Sequence, residues 1–580
     1  MLNPMENREI AIGRKKDAII ICEKRRIVMP LRQVTIAKVN DVEEGEMKAF
    51  EVGEHRILLT RIEGQLRALG ATCPHYGAPL EEGFLNGARI VCPWHHAAYD
   101  ARTGNVEEPP SLDSLPVYRL RISGDDVIVM LPDEVPESRP PDMTRRDSQA
   151  DGRVFVIIGA GAAGNAAAQT LREDGFKGRI IMLTGEDRFP YDRPQLSKGY
   201  LEGESDDTAL PLRPEEFYSD HDIECIVGNK VKKAELSNGL IEFENGRVLR
   251  YDSLLLASGG VPRTLDVPGS GLRGIFTLRS WDDSAAIIKA AEAGSRVVIV
   301  GTSFIGIESA YSLSQRRLSV TVIGLDSVPF EGVFGKEIGG LFQQLHESNG
   351  VRFKLNSQVS RFEGADKVEA VVLESGERIP ADFVVLGVGV RPATDFIDGA
   401  DLLSDGSIAV DEYFRVAGNV YAAGDIATFP YWYSRERLRI EHWRTAEQQG
   451  RIAGHNMAGK KIPYRSVPFF WTTQVGLYFR YVGFAKRWDE IIFHGDVSSK
   501  SFTAYYLKDG RVYAAAGTAS EKDMAAIEEL MRMDRLPTPD ELRAESFNIV
   551  QWWEERRETF PEELFRRREA REVFAYRPGA

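Results

Sequence analysis

Cysteine is scarce in this chain: four residues in 580, at Cys22, Cys73, Cys92 and Cys225. That is too few for a disulfide-held scaffold and fits a reducing compartment. A long apolar run is also missing. Val154–Ile158 and Val297–Val300 each break into a glycine turn, whereas a membrane span needs about 20 apolar residues. Positive charge is not in excess either, since 73 Lys and Arg stand against 87 Asp and Glu for a net charge of −14. Phosphate binding needs a basic face, so nucleic acid is excluded as the main partner. Near the N-terminus, Arg14, Lys15 and Lys16 precede a short apolar run, Ala18–Cys22. Glu23, Lys24, Arg25 and Arg26 follow at once, without a small-residue cleavage site. No signal peptide is read, and a cytoplasmic location is expected.

What is present is modular. From Gln33 to Met130, short alternating strands and glycine turns predict a small all-β domain. Residues 132–152 are rich in Pro, Asp, Ser and Arg and read as a linker. From Arg153 the pattern becomes strand, Gly-rich turn, helix, strand. It occurs twice, as RVFVIIGAGAAGNAAAQTLREDGFKGRIIMLTGED and as SRVVIVGTSFIGIESAYSLSQRRLSVTVIGLD. Two such copies predict two doubly wound α/β (Rossmann-like) domains. From about Tyr464 a third pattern sets in, alternating strands and then the helix KDMAAIEELMRM, and the charged, aromatic stretch 541–580 reads as a helical tail with one packed face.

Two segments pair a cysteine with a histidine: Cys73-Pro74-His75 and Cys92-Pro93-Trp94-His95. A Rieske [2Fe–2S] centre binds one iron by two thiolates and the other by two imidazoles, so each of two loops must offer one Cys and one His. Proline after each cysteine stiffens the loop. A Cys₂His₂ zinc site uses the same ligand types, although this spacing is not that of a zinc finger. The segments CPHYGAPL and CPWHHAAYD resemble the two ligand loops of Rieske domains. On that resemblance the ligands are Cys73, His75, Cys92 and His95, and His96 is a packing or solvent residue. Imidazole ligation raises the potential to roughly −150 to +300 mV, so the cluster should accept electrons from a reduced flavin.

Gly159, Gly161 and Gly164 follow the strand VFVII and open an Ala-rich helix. Glycines there permit a tight turn and close approach of a pyrophosphate to a helix N-terminus. The next strand ends at Glu186 and Asp187, where an acid can accept ribose hydroxyls. The second copy reads Gly301-Thr302-Ser303-Phe304-Ile305-Gly306, with serine for the middle glycine. Its next strand ends on Gly324 where an acid is expected, with Asp326 two positions on. NADH and NADPH therefore both stay open. Arg316 and Arg317 read as surface charge at a helix end.

Nearly the whole chain resembles the FAD-dependent ferredoxin reductases and apoptosis-inducing-factor-like oxidoreductases, in the subgroup fused to an N-terminal Rieske domain. The resemblance rests on PYDRPQLSK (190–198), LLASGGVPR (255–263), AAGDI (422–426), EHW (441–443) and GVGVRP (387–392). It implies a multidomain fold: an all-β Rieske domain, two Rossmann-like FAD and NAD(P) domains and an α+β C-terminal domain. The implied divisions are an extension 1–31, the Rieske domain 32–131, the linker 132–152, FAD-binding parts 153–275 and 400–463, the NAD(P) domain 276–399, the C-terminal domain 464–545 and a tail 546–580.

Its site residues follow by resemblance. Arg193 contacts the FAD phosphate or ribose region and Lys198 sits near the flavin N5 edge. Ser258 and Gly259 lie in the family's glycine turn, Asp425 takes a ribityl hydroxyl, and Glu441, His442, Trp443 and Trp471 line the flavin. Val231 and Arg279 match weaker FAD contacts, and Gly387 marks the nicotinamide-side strand end. Glu308 faces Lys198, and the two orient the nicotinamide. No redox Cys pair follows the first Rossmann unit, so a disulfide relay is excluded, and lone Cys225 reads as a small buried hydrophobe.

The implied function is electron transfer from NAD(P)H to FAD, to the in-chain cluster and on to an unknown acceptor, with a homodimer possible. The competing readings are a ferredoxin reductase component of an oxygenase system, and a slow-turnover redox sensor. Purified protein is expected to be brown-yellow with one FAD and two irons per chain. Metal analysis finding zinc without iron would refute the cluster.

Overall fold

The computed structural model describes residues 31–518 and 520–560. Most of the expected extension and the end of the tail lie outside the described residues, but Leu31 already belongs to the first strand. The N-terminal domain has ten strands: β1 (Leu31–Lys38), β2 (Met47–Val52), β3 (His55–Ile62), β4 (Gln65–Gly70), β5 (Phe84–Asn86), β6 (Arg89–Val91), β7 (Ala98–Asp100), β8 (Val106–Glu108), β9 (Val117–Ser123) and β10 (Asp126–Pro132). Six form one sheet in the order β1-β10-β9-β4-β3-β2, and β5 to β8 form a small meander on it. The apolar positions of β3 are fully buried, Leu58 in one core cluster and Ile57 and Leu59 in another, so the strand is covered on both faces.

The two Cys-His segments are the loops on either side of β5 and β6. Each is closed by one backbone bond of the same kind, Cys73 N–H to Ala78 O at 2.9 Å and Cys92 N–H to Ala97 O at 2.8 Å. Residues 132–152 carry little regular structure but are pinned along their length. Arg139 exchanges backbone bonds with Ser114, Thr144 N–H reaches Arg172 O, and Asp147 N–H reaches Lys177 O.

The first Rossmann-like sheet orders its strands Ile223–Ile226, Arg179–Leu183, Val154–Ile158, Ser253–Leu256, Val420–Ala422 and Arg415–Ala417. Helix α1 (Ala162–Glu173) follows its central strand. The second orders Ile275–Thr277, Phe383–Leu386, Arg296–Val300, Ser319–Ile323 and Arg352–Lys354, all parallel, with α2 (Phe304–Gln315) after its central strand. Helix α3 (Trp443–Met457) returns to pack on α1, where a Cβ at Gly450 would lie 2.1 Å from Ala163 O. The C-terminal domain is a five-stranded antiparallel sheet capped by α4 (Glu521–Arg532), and a short helix α5 (Ile549–Arg556) opens the tail.

The Rieske-like domain is docked, not merely tethered. Arg444 of α3 is fully buried and donates to Pro109 O and His96 O, both at 2.8 Å, and to Glu528 at 2.9 Å. Glu528 also meets His96, and its neighbour Glu529 accepts from Asn86 and Arg89, both at 2.9 Å. Gln448 and Ser466 both bond Glu108, Arg213 bonds Asp113, and Trp553 of α5 packs edge-on against Phe84 at 4.8 Å. Burial of these charges is tolerated because each is paired and hydrogen-bonded.

Burial alone would raise Glu529, but Arg532 and Arg89 outweigh it and bring the carboxyl down to about 2. A depressed carboxylate stabilises the folded state above its unfolded value near 4.5 and loses that contribution as pH falls towards about 2. Glu529→Gln is therefore expected to lower the urea midpoint at neutral pH, with the difference from wild type shrinking below pH about 4.5. A difference independent of pH would assign the effect to packing instead.

Candidate cluster and dinucleotide site

Cys73 and Cys92 are buried, and the rings of His75 and His95 stand beside them with their Nδ1 atoms 3.1 Å apart. Burial holds the His75 imidazole down to about 3 and His95 well below its usual range, so both are neutral. A neutral imidazole can offer a ring-nitrogen lone pair, so the two facing Nδ1 atoms suit ligation of one metal ion. Among the described residues no three His, Cys, Asp or Glu side chains converge to hold one metal. A mononuclear zinc site wants four such donors at one ion, whereas a two-iron cluster takes its protein ligands as two separate pairs. The donor set fits the cluster.

Two neighbours of this pair escaped the sequence reading. The Tyr99 hydroxyl lies 3.1 Å from Cys73 Sγ, and Tyr76 beside His75 donates to Asp192 at 2.7 Å and accepts from Gln195 at 2.6 Å. A tyrosine on a strand gives no sign in sequence of which sulfur it will face. His96 is fully buried in a left-handed conformation (φ 57°), stacked on Phe469 at 3.9 Å and bonded to Glu528, so it points away from the Cys-His cluster.

A cavity of about 1050 Å³ runs through the reductase part. Its walls bring together Gly159, Gly161, Glu186, Arg193, Lys198, Val231, Ser258, Gly259, Arg279, Asp425, Glu441, His442, Trp443 and Trp471 with Ser303, Glu308 and Gly387. Gly164, Gly301, Gly306 and Asp187 are not on the wall. Three of these have packing reasons. A Cβ at Gly164 would lie 1.8 Å from Gly159 O and one at Gly306 2.2 Å from Gly301 O, so both let a helix close on its strand. Gly301 (φ +120°) would bring a Cβ within 2.3 Å of Gly387 O. Ser303 uses its hydroxyl on Gly387 O at 3.0 Å. The missing acid after Ile323 has a steric cause, since a Cβ at Gly324 would lie 2.3 Å from the Thr302 methyl.

Glu186 bonds Arg193 at 2.8 Å and Tyr191 at 2.6 Å, and Asp425 bonds Arg279 at 2.7 Å. Glu308 on this wall is 4% exposed. It accepts from Lys198 Nζ at 2.8 Å, Ser197 Oγ at 2.6 Å and Thr472 Oγ1 at 2.8 Å. Thr472 comes from the C-terminal sheet, so three domains complete this carboxylate. His442 carries a buried Nδ1 without a partner on the cavity wall, an atom that a polar ligand would satisfy. Cys225 is half-buried and its thiol is pushed up to about 12 by burial, which makes it inert. Arg316 is spent on the Leu201 carbonyl.

Comparison with known proteins adds three family matches: pyridine nucleotide-disulphide oxidoreductase over residues 153–450, Rieske [2Fe-2S] domain over 32–119 and reductase C-terminal over 469–552. The chain is 35% identical over 514 residues to apoptosis-inducing factor 3 of Homo sapiens, covering 87% of this chain and 84% of that one. The chain belongs to the pyridine nucleotide-disulphide oxidoreductase family. Another relative within reach of this oxidoreductase family is the biphenyl dioxygenase system ferredoxin–NAD(+) reductase component of Paraburkholderia xenovorans, 34% identical over 65% of this chain and 92% of that one. Among solved structures, the covalent putidaredoxin reductase–putidaredoxin complex matches at TM-score 0.66 and 30% identity, covering 69% of this chain and 97% of that chain. This oxidoreductase is FAD-dependent, uses NAD(P)H and carries a Rieske [2Fe–2S] domain at its N-terminal end. No described helix is long and apolar enough to cross a membrane.

Hydrogen bonds to cluster sulfurs help set the potential. Tyr99→Phe is expected to keep the cluster but lower its midpoint on the order of 40 mV, the one-electron equivalent of about 1 kcal/mol for one lost hydrogen bond. Redox titration followed by EPR checks this, and an unmoved midpoint would remove Tyr99 from the tuning of the cluster.

Proposed function

We propose that the chain oxidises NAD(P)H in the long cavity and passes the electrons through its own docked cluster to a separate redox protein. The observation that carries this reading is Trp471. It lines the cavity, and its ring lies 4.6 Å from that of His95 and 6.4 Å from that of His75. One side chain thus separates the flavin wall from the cluster ligands, without any domain movement. FAD supplies the conversion of a two-electron hydride into single electrons, and the protein's share is alignment and tuning.

In this proposal Cys73 and Cys92 hold one iron and His75 and His95 the other. Gly159 and Gly161 admit the FAD pyrophosphate at the start of α1, Glu186 takes the ribose, and Arg193 the phosphate or ribose region. Val231, Ser258, Gly259 and Arg279 line its length, and Asp425 takes a ribityl hydroxyl. Glu441, His442, Trp443 and Trp471 enclose the flavin ring. Ser303 and Gly387 face the nicotinamide dinucleotide, with Gly301 and Gly306 shaping the turn beneath it. Lys198 and Glu308 orient the two rings and need not move a proton, because Glu308 already accepts three hydrogen bonds.

A redox protein as acceptor is supported by the named partners of the relatives, a dioxygenase system and putidaredoxin. Tyr76, 45% exposed beside His75, offers an edge for its approach. A homodimer and a cytoplasmic location complete the proposal, the first testable by light scattering.

Cys73→Ser is expected to abolish the EPR signal of the reduced cluster while the flavin still bleaches with NADH or NADPH at close to the wild-type rate. Anaerobic stopped-flow spectroscopy checks both. If wild-type flavin bleaches while the iron spectrum never changes, the proposed route fails.

A further inference from the structure

The donors that complete Glu308 do not end at Thr472. The Thr472 hydroxyl, 2.8 Å from Glu308 Oε1, itself accepts from Gln474 Nε2 at 3.0 Å, and Gln474 Oε1 lies 2.7 Å from His346 Nε2. Glu308 is 4% exposed, Thr472 1%, and Gln474 and His346 0%. Water therefore does not compete for these bonds. Three elements supply the chain: α2, the strand Phe469–Gln474 of the C-terminal sheet, and the helix Lys336–Ser348 of the second Rossmann-like domain.

Successive side chains of a strand point to opposite faces, which gives this one two roles. Phe469 and Trp471 meet the cluster loops, Phe469 stacked on His96 at 3.9 Å and Trp471 4.6 Å from His95. Phe470, Thr472 and Gln474 meet the second Rossmann-like domain, where Phe470 lies 4.1 Å from Phe304 of α2.

The chain runs in one direction only. The Glu308 carboxylate, paired with Lys198, accepts. Thr472 donates to it and keeps a lone pair for Gln474. Gln474 turns its NH₂ to Thr472, and so its carbonyl to His346. A carbonyl accepts, which puts the His346 proton on Nε2. Burial holds the ring down to about 4, so it is neutral with a single N–H. Nδ1 is then bare, and it is the buried ring atom without a partner.

We propose that Gln474 and His346 are positioning residues for hydride transfer, fixing the Glu308 carboxylate, and through it the Lys198 ammonium, against the nicotinamide. The inference rests on the orienting role given above to Lys198 and Glu308. One Glu308 oxygen is held by Ser197 and Lys198, the other by Thr472. Loss of the Thr472 bond frees the carboxylate to turn, and the ammonium moves with it. Hydride transfer is sensitive to misplacement on the order of 1 Å.

The test uses the full-length holoprotein, with FAD content, iron content and thermal midpoint measured in every variant. Gln474→Met removes the amide at similar volume. It is expected to lower the limiting rate of flavin reduction by NADH or NADPH about tenfold in anaerobic stopped flow, with the nicotinamide dissociation constant changed less than about twofold. The long-wavelength absorption of the reduced flavin paired with NAD(P)⁺, which reports ring stacking, is expected to weaken, while flavin-to-cluster transfer keeps its rate. Thr472→Val is expected to lose as much, and the double variant no more than either single, because both act through one bond. His346→Leu is expected to match Gln474→Met, and His346→Gln, which offers an N–H near the same place, to keep the wild-type rate. If His346→Leu does not fold, Gln474→Met and Thr472→Val decide. ¹⁵N spectra of histidine-labelled protein, with the His346 signals assigned by their loss in His346→Gln, are expected to show that ring protonated at Nε2 alone. Protonation at Nδ1 instead, an unchanged rate and band in Gln474→Met, or a double loss equal to the product of the singles would overturn the proposal. Glu308→Gln separates the underlying reading: if it too leaves rate and band unchanged, the orienting role has failed, and if it lowers them while Gln474→Met does not, only the chain has.

Discussion

Everything functional in this molecule depends on a buried charged junction between the N-terminal domain and the reductase body. Arg444, Glu528, Glu529, Arg89 and His96 are removed from water together. Each would be costly alone, and together they are joined in ion pairs, with only Arg444 Nη1 and His96 Nε2 among their buried atoms left without a partner. Breaking one contact would strand its partner in a dry site, so the junction resists partial opening. Its consequence is geometric: the His75 and His95 rings are held against Trp471, at the edge of the cavity.

The same logic repeats inside the cavity on a smaller scale. Glu308 belongs to the second Rossmann-like domain, Lys198 and Ser197 to a loop of the first, and Thr472 to the C-terminal sheet. A carboxylate completed by three domains fixes their mutual orientation as well as its own. The dinucleotide turns contribute through shape. Gly159, Gly164, Gly301 and Gly306 let backbone pass backbone at distances that no Cβ would permit. The departure at Gly324 is shape as well, because Thr302 fills the space that a longer side chain would need.

The sequence was most legible where chemistry is local. The Cys-Pro-His and Cys-Pro-Trp-His segments each fold as one self-closed loop, so their resemblance to the two loops of a Rieske domain was visible in a few consecutive residues. The two glycine turns were readable because strand, turn and helix follow one another directly. Residues whose meaning depends on a distant partner were not readable. Glu528 and Glu529 lie in a helix that looks like any charged amphipathic helix, yet both are buried against residues more than 400 positions earlier, His96 of a loop and Asn86 of a strand. Asp192 sat inside the segment PYDRPQLSK without a role of its own, and it meets Tyr76 of the N-terminal domain. Asp187, expected beside the ribose, lies off the cavity wall while its neighbour Glu186 lies on it. A one-residue choice of that kind is set by how a turn leaves its strand.

By itself, the sequence determined the kinds of module, their order along the chain and the donor atoms each could offer. Those follow from short-range spacing and from hydrophobic period, which any segment carries with it. Only the tertiary structure decided that the cluster domain is seated on the reductase, that Trp471 stands between its histidines and the cavity, and that Gln474 and His346 line up behind Glu308. Such facts depend on which groups lose their water together, and that is a property of the packed whole rather than of any stretch of chain.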